Sequence, residues 1–209
     1  MKLFCAAGSS SLLPHIVLLE AGLPFTAILI DEHTKAIEGG GDYRDVNPLG
    51  YVPALVLDDG TLLTEGPAIV QYVADQVPSK QLAPPNGTIE RTRLQAWLNF
   101  FSSEMHKGAY GPLFYNGVSE DSKLVFRRRL AARYDHLNQY LAMNEYLVGN
   151  RFTVADAHFF AVTNWAPRVA VDLSPYPSVQ AHHRRIGARP AVQAAMMAEG
   201  PTPGPEPHT

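Results

Sequence analysis

Three consecutive hydroxyls, Ser9-Ser10-Ser11, stand just before the apolar run Leu12–Glu20, which carries Pro14 where the first turn of a helix would lie. A hydroxyl there can cap the helix, worth about 1 kcal/mol, or donate to an anion held at the positive end of the helix dipole. Three in a row allow both tasks to be divided. Glu65-Gly66 falls where a short apolar run hands over to residues at helical spacing. Its carboxylate can hold a cation, or favour the helix dipole by about 0.3–1 kcal/mol. Further along, Asn99, Ser103 and His106 lie within about 60° of one another on a 100° helical wheel, flanked by Lys107, with Glu104 elsewhere beside the apolar stripe. Such a face is either a site or a solvated surface. Lys35 alone reads as a surface lysine. The one cysteine, Cys5, excludes a disulfide framework, an all-cysteine metal centre and a CxxC couple, and it reads as a small buried or cleft-wall residue rather than a nucleophile.

These residues need elements to hold them. In the first 80 residues Lys2–Ala6 and Phe25–Ile30 read as strands flanking the helix Leu12–Glu20, which stops at Gly22. Pro53–Leu57 and Thr61–Thr64, joined through Asp58-Asp59-Gly60, form a hairpin, and Ile69, Val70, Val73 and Val77 recur at helical spacing. The order is βαβ, an irregular stretch, then ββα. Residues 78–88 hold three prolines and a glycine and read as a linker. Beyond it the pattern is helical throughout. Leu94, Trp97, Leu98, Phe101 and Met105 form a stripe about 100° wide, and the Arg127-Arg128-Arg129 run reads as a solvated face. Thr153-Val154-Ala155-Asp156 fits a capping box. The domains are therefore 1–80 and 88–199, with a Gly- and Pro-rich tail at 200–209.

Composition narrows the function. The chain has 209 residues, 46% of them apolar, enough for a sizeable core. Its net charge of −3 gives no electrostatic reason to expect nucleic acid or an anionic membrane. The charge is uneven, net −6 over residues 1–80 and net +3 over residues 81–209. Gly8 and the serines interrupt the N-terminal apolar run, so no signal-peptide core forms and a cytoplasmic protein is expected.

Five motifs then fall in order along the chain: Asn47-Pro48-Leu49-Gly50-Tyr51-Val52-Pro53, Leu63-Thr64-Glu65-Gly66, Trp97-Leu98-Asn99-Phe100, Ser103-Glu104-Met105-His106-Lys107-Gly108 and Phe152-Thr153-Val154-Ala155-Asp156. With the βαβ–ββα half and the helical half, they make the chain resemble the cytosolic glutathione S-transferases, most of all the bacterial beta class. The resemblance implies an α/β thioredoxin-like N-terminal domain plus an all-α C-terminal domain. It implies glutathione as co-substrate, no metal, a hydrophobic electrophile as second substrate, a homodimer, and a role in detoxification.

It also implies residue roles. A cis bond would precede Pro53, and the Val52 backbone, beside Tyr51, would pair with the cysteinyl part of glutathione as a sheet edge accepts a peptide. Glu65 would take the γ-glutamyl ammonium, the Gly66 helix start the adjacent carboxylate, and Lys35 the glycyl end. Asn99, Ser103 and Lys107 would line the cleft, and Glu104 would reach glutathione in the partner subunit. Ser10 or Ser11, assisted by His106, would stabilise the thiolate that attacks the electrophile. Tyr110, Phe114, Tyr115 and Trp165 are candidate walls for that electrophile and equally ordinary core residues. In one respect the sequence departs from the pattern. Beta-class enzymes carry a cysteine at the position of Ser10, able to form a mixed disulfide with glutathione, and a serine cannot. A glutathione- or hydrophobe-binding protein with little catalysis, or a glutathione-dependent isomerase or dehalogenase with Arg168 reaching its substrate, are the alternatives.

Overall fold

The computed structural model describes residues 1–201, so most of the expected tail lies outside the described residues. The chain forms two compact units. The first spans Met1–Ala83 and takes in the chain again from Arg189. Its strands are β1 (Lys2–Cys5), β2 (Thr26–Leu29), β3 (Ala54–Val56) and β4 (Leu62–Thr64), ordered β2-β1-β3-β4. β2 runs parallel to β1, pairing Thr26 with Lys2, and the crossover between them is α1 (Leu12–Ala21). β3 and β4 add as an antiparallel hairpin whose turn is tied by Thr61 N–H donating to the Asp59 carboxylate. Strand alternation puts Phe4 on one face with Ala6, Ile30, Tyr43 and Ala54, and turns Leu3 and Cys5 to the other. α1 ends as expected, with Gly22 left-handed (φ 69°) and its N–H on the Leu18 and Leu19 carbonyls.

α2 (Gly66–Gln76) follows β4 directly. Gly66 has a packing reason to be glycine, since a Cβ there would lie 3.2 Å from the Leu13 side chain of α1. The helix α8 (Pro190–Glu199), expected with the helical domain, belongs instead to the first unit. Its ends explain why. Arg189 forks onto the Glu20 carboxylate at 2.6 and 2.9 Å, and Glu199 meets His15 at 3.0 Å, both partners being on α1.

The second unit, Pro84–Ala188, is helical. α3 (Ile89–Phe100) is capped by Thr88, whose hydroxyl accepts from Arg91 N–H. It runs on as a π-helix over Phe101–Tyr110 and closes with a turn, α4 (Gly111–Phe114). α5 (Glu120–Met143), α6 (Val154–Thr163) and α7 (Pro177–Gly187) complete the unit. All ten residues of α6 are buried, and its start is fixed by Asp156. One carboxylate oxygen accepts from the Thr153 amide and hydroxyl, the other from Leu147 N–H and the His182 ring. The capping box is thus present, and extended to α7.

Candidate active site

In the first unit the three serines have separate fates. Ser11 is fully buried at the head of α1; its hydroxyl donates to the Ala6 carbonyl, accepts from the Ala6 amide and lies 2.7 Å from the Ser9 hydroxyl. Ser9 is buried too and accepts from Ser11 N–H. Ser11, expected as an alternative donor to a thiolate, is therefore occupied by its own loop, and it caps α1 with its backbone alone. Ser10 is the half-exposed one, and its hydroxyl donates to the Val52 carbonyl at 3.1 Å. A hydroxyl with one weak neutral partner can be redirected to a stronger, charged acceptor at small cost.

That bond joins the serine loop to the segment before β3. The Val52–Pro53 bond is cis, and Tyr51 is largely exposed. The carbonyl of Tyr51 is held by two buried donors, the Tyr43 hydroxyl at 2.8 Å and Asn47 Nδ2 at 2.7 Å. Neither donor was assigned a role from sequence. Asn47 was visible in its motif, whereas nothing in the local pattern singles out Tyr43. Together they fix the backbone that presents Val52.

Lys35 comes to the same place. It has φ 66°, its amide donates to Asp31, its carbonyl accepts from Tyr43 N–H, and its methylenes lie against Gly50. A Cβ on Gly50, itself at φ 66°, would sit 3.4 Å from Lys35 Cε. Glu65 is exposed at the head of α2 with φ 63° and ψ 108°, a conformation rare for a residue with a side chain, and its carboxylate makes no cap to the helix. Pro67 has no N–H and Ala68 N–H donates to the Glu65 carbonyl, so Gly66 carries the first-turn amide available to an anion. Ser10, Val52, Lys35, Glu65 and Gly66 thus form part of one unit, held by backbone geometry that local propensity would not choose.

In the second unit the π-helix revises the expected face. Each residue of a π-turn advances by roughly 80° rather than 100°, so by His106 the face has slipped by roughly 90° from the α-helical wheel. Asn99 and Ser103 stay together, with the Ser103 hydroxyl on the Asn99 carbonyl at 2.9 Å, and Lys107 joins them on the exposed side. His106 turns inward, its ring 4.6 Å from that of Trp165. Burial, then the charge of Lys107, brings its pKa down to about 4, so the imidazole is neutral at neutral pH. Glu104, expected to serve a partner subunit, is engaged within the chain by Arg133 of α5.

The candidate aromatic walls divide. Tyr110 is core, its hydroxyl 2.6 Å from that of Tyr134, and Trp165 is buried. Phe114 is half-buried beneath the Arg168 guanidinium at 4.9 Å, and Tyr115 is exposed. Cys5 is fully buried, and desolvation with the nearby Glu199 charge pushes its thiol up to about 12. It is no nucleophile near neutral pH.

Two family models match the chain: the N-terminal domain of glutathione S-transferase over residues 10–76 and the C-terminal domain over residues 101–190. A glutathione S-transferase of Escherichia coli O157:H7 is 45% identical over 200 residues, covering 96% of this chain and 99% of its own. One from Xanthomonas campestris pv. campestris is 34% identical, with the same coverage. Among solved structures, a ternary complex of the bacterial transferase BphK superposes with a TM-score of 0.93 at 52% identity, covering 96% of this chain and 100% of that one. A sphingomonad glutathione S-transferase complexed with glutathione gives 0.92 at 42%, covering 96% and 99%. The beta-class enzyme of Sphingomonas chungbukensis gives 0.92 at 46%, with the same coverage.

Proposed function

The chain belongs to the glutathione S-transferase family, and on that footing we propose that Ser10 donates to the sulfur of bound glutathione while the thiolate attacks a hydrophobic electrophile. The protein is a glutathione transferase. What supports this placing of the chemistry is the Ser10 hydroxyl, the half-exposed member of its triplet, lying 3.1 Å from the Val52 carbonyl. The peptide edge at Val52 takes the cysteinyl backbone of glutathione. Rotation of the Ser10 hydroxyl from carbonyl to sulfur replaces a neutral bond by a charge-assisted one, which favours the thiolate over the thiol. Glu65 takes the γ-glutamyl ammonium, Gly66 N–H the neighbouring carboxylate, and Lys35 the glycyl carboxylate.

Within the helical unit, Asn99, Ser103 and Lys107 present polar and cationic groups, and His106 a neutral ring rather than a cation. Glu104 reaches a second subunit only by leaving Arg133, so the homodimer we propose does not depend on it. The setting is cytoplasmic detoxification. The test is conjugation of a chloronitroarene by the purified protein, compared with Ser10→Ala. The variant loses ten-fold or more in kcat with glutathione KM little changed, on the scale of removing one oxyanion-type donor (~10²). An unchanged kcat overturns the role of Ser10 and leaves the family membership standing.

A further inference from the structure

Beneath the serine loop, outside the residues given to glutathione, three side chains of different chemistry converge. Cys5 Sγ, a ring nitrogen of His15 and a Glu199 carboxylate oxygen all lie within 4.8 Å of one another, and all three residues are buried. We infer that they form a binding site for one thiophilic divalent cation of the zinc or cadmium type. The family resemblance implies no metal, and these three residues, far apart along the chain, fit no spacing motif.

The chemistry suits such an ion. One thiolate, one carboxylate and one neutral imidazole offer two negative charges to a divalent cation, so the filled site is neutral and its burial carries no net charge. Metal–ligand bonds of about 2.0–2.3 Å in a tetrahedron place ligand atoms roughly 3.3–3.8 Å apart. His15 and Glu199 are already at 3.0 Å, and the sulfur closes by about an ångström or less. Its present partner, the Ile28 carbonyl at 3.7 Å, is a weak one to give up. The thiol proton leaves to solvent, and His15 binds through Nδ1 as the tautomer with its proton on Nε2. A water or the adjoining Ser11 hydroxyl, which also hydrogen-bonds Glu199, completes four-coordination.

The supports are rigid and well spread. Cys5 ends β1, His15 stands in the second turn of α1, and Glu199 is the last residue of α8. An ion there ties the C-terminal helix of the first unit to its first strand, and enters by release of the α8 end. It would stabilise that unit without touching the glutathione site.

Cadmium titration of the unmodified, glutathione-free protein tests this directly. Cys5 is the only cysteine of the chain, so sulfur-to-cadmium charge-transfer absorption can come from no other residue. The expected result is an ultraviolet band that saturates at one equivalent per chain, with a raised melting midpoint and a first shell of one sulfur plus nitrogen or oxygen by X-ray absorption. Cys5→Ala abolishes the band, and Glu199→Gln or His15→Gln weakens binding at least ten-fold. Absence of a band in ten-fold excess cadmium, with the thiol shown intact after denaturation, overturns the site. So does a one-equivalent band that both Glu199→Gln and His15→Gln leave unchanged, which would be binding by the thiol alone. These readouts need no transferase activity, so their outcome is separate from that of the Ser10 test.

Discussion

At the scale of single residues, position 10 holds a hydroxyl where the family resemblance implies a thiol, and the only thiol of the chain, Cys5, lies buried. Ser10 keeps the hydrogen bond to the Val52 carbonyl but cannot form a mixed disulfide, and Cys5 is buried with its pKa pushed up to about 12. Both routes to disulfide exchange are therefore closed. Incubated with oxidised glutathione near pH 8, the protein is expected to show no glutathione adduct by intact mass, because neither a thiolate nor an accessible sulfur is present to attack the disulfide. Ser10→Cys restores a thiol at a half-exposed position beside the helix dipole of α1, and should acquire one glutathione per chain under the same conditions. An adduct on the unmodified protein would show that Cys5 is reached after all. The contrast between the serines was hidden in the sequence, since Ser9, Ser10 and Ser11 are identical in type and adjacent. Only the folded loop, with Ala6 bonded to Ser11 on both its amide and its carbonyl, separates the half-exposed Ser10 from the two serines that hold the loop.

At the scale of elements, the π-helix from Phe101 to Tyr110 is the feature that moved residues from their expected places. Its cause is visible at Gly108, where a Cβ would lie 2.4 Å from the Ser103 carbonyl oxygen five residues back. Only glycine tolerates that approach. The glycine was in plain view at the end of its motif, but a helical glycine reads simply as a weak helix former, and nothing in one sequence distinguishes five residues per hydrogen-bonded ring from four. Gly108→Ala must either overpack the turn or return it to α-helical register, which rotates His106 and takes Met105 and Ala109, both fully buried, out of their seats. A loss of about 1–3 kcal/mol in denaturant unfolding is expected, together with a fall in activity if His106 serves the reaction. Gly117→Ala is the control: nothing lies within 4 Å of a Cβ there, so its stability should stay within about 0.5 kcal/mol of the parent. Equal effects of the two substitutions would mean that the π-turn is not held by the glycine.

At the scale of the whole chain, what was legible was what repeats or alternates. The strand pattern of Lys2–Cys5, the Asp58-Asp59-Gly60 turn, the Gly22 stop and the Thr153–Asp156 box are local signals, and the structure contains each of them. What was not legible depends on partners distant in sequence: α8 joins the first unit through Glu20 and His15, and the Tyr51 carbonyl is clamped from Tyr43 and Asn47. Buried histidines belong to the second kind, and they make acid stability a property of the fold. Burial lowers the pKa of His158 to about 3 and of His106 and His183 to about 4, each shift reinforced by a neighbouring charge: His106 for His158, Lys107 for His106, and His182 with Arg184 for His183. All three are neutral in the folded chain and bind protons below about pH 6.5 once unfolded. The unfolded state therefore takes up more protons as pH falls, and stability, level above pH 7, declines from about pH 6.5 towards pH 4 and, for His158, towards pH 3. Each histidine contributes at most about 1.4 kcal/mol per pH unit across its window. Glu199, raised by burial, opposes part of this above its ordinary pKa. Denaturant midpoints at pH 7.5, 6.0 and 5.0 should fall with increasing steepness, and His158→Gln should flatten the profile even where it lowers the midpoint at pH 7.5. His158 Nδ1 has no hydrogen-bond partner among the described residues, so the substitution breaks no bond made by that atom. A profile as steep in the variant as in the parent would place the acid sensitivity elsewhere than in His158.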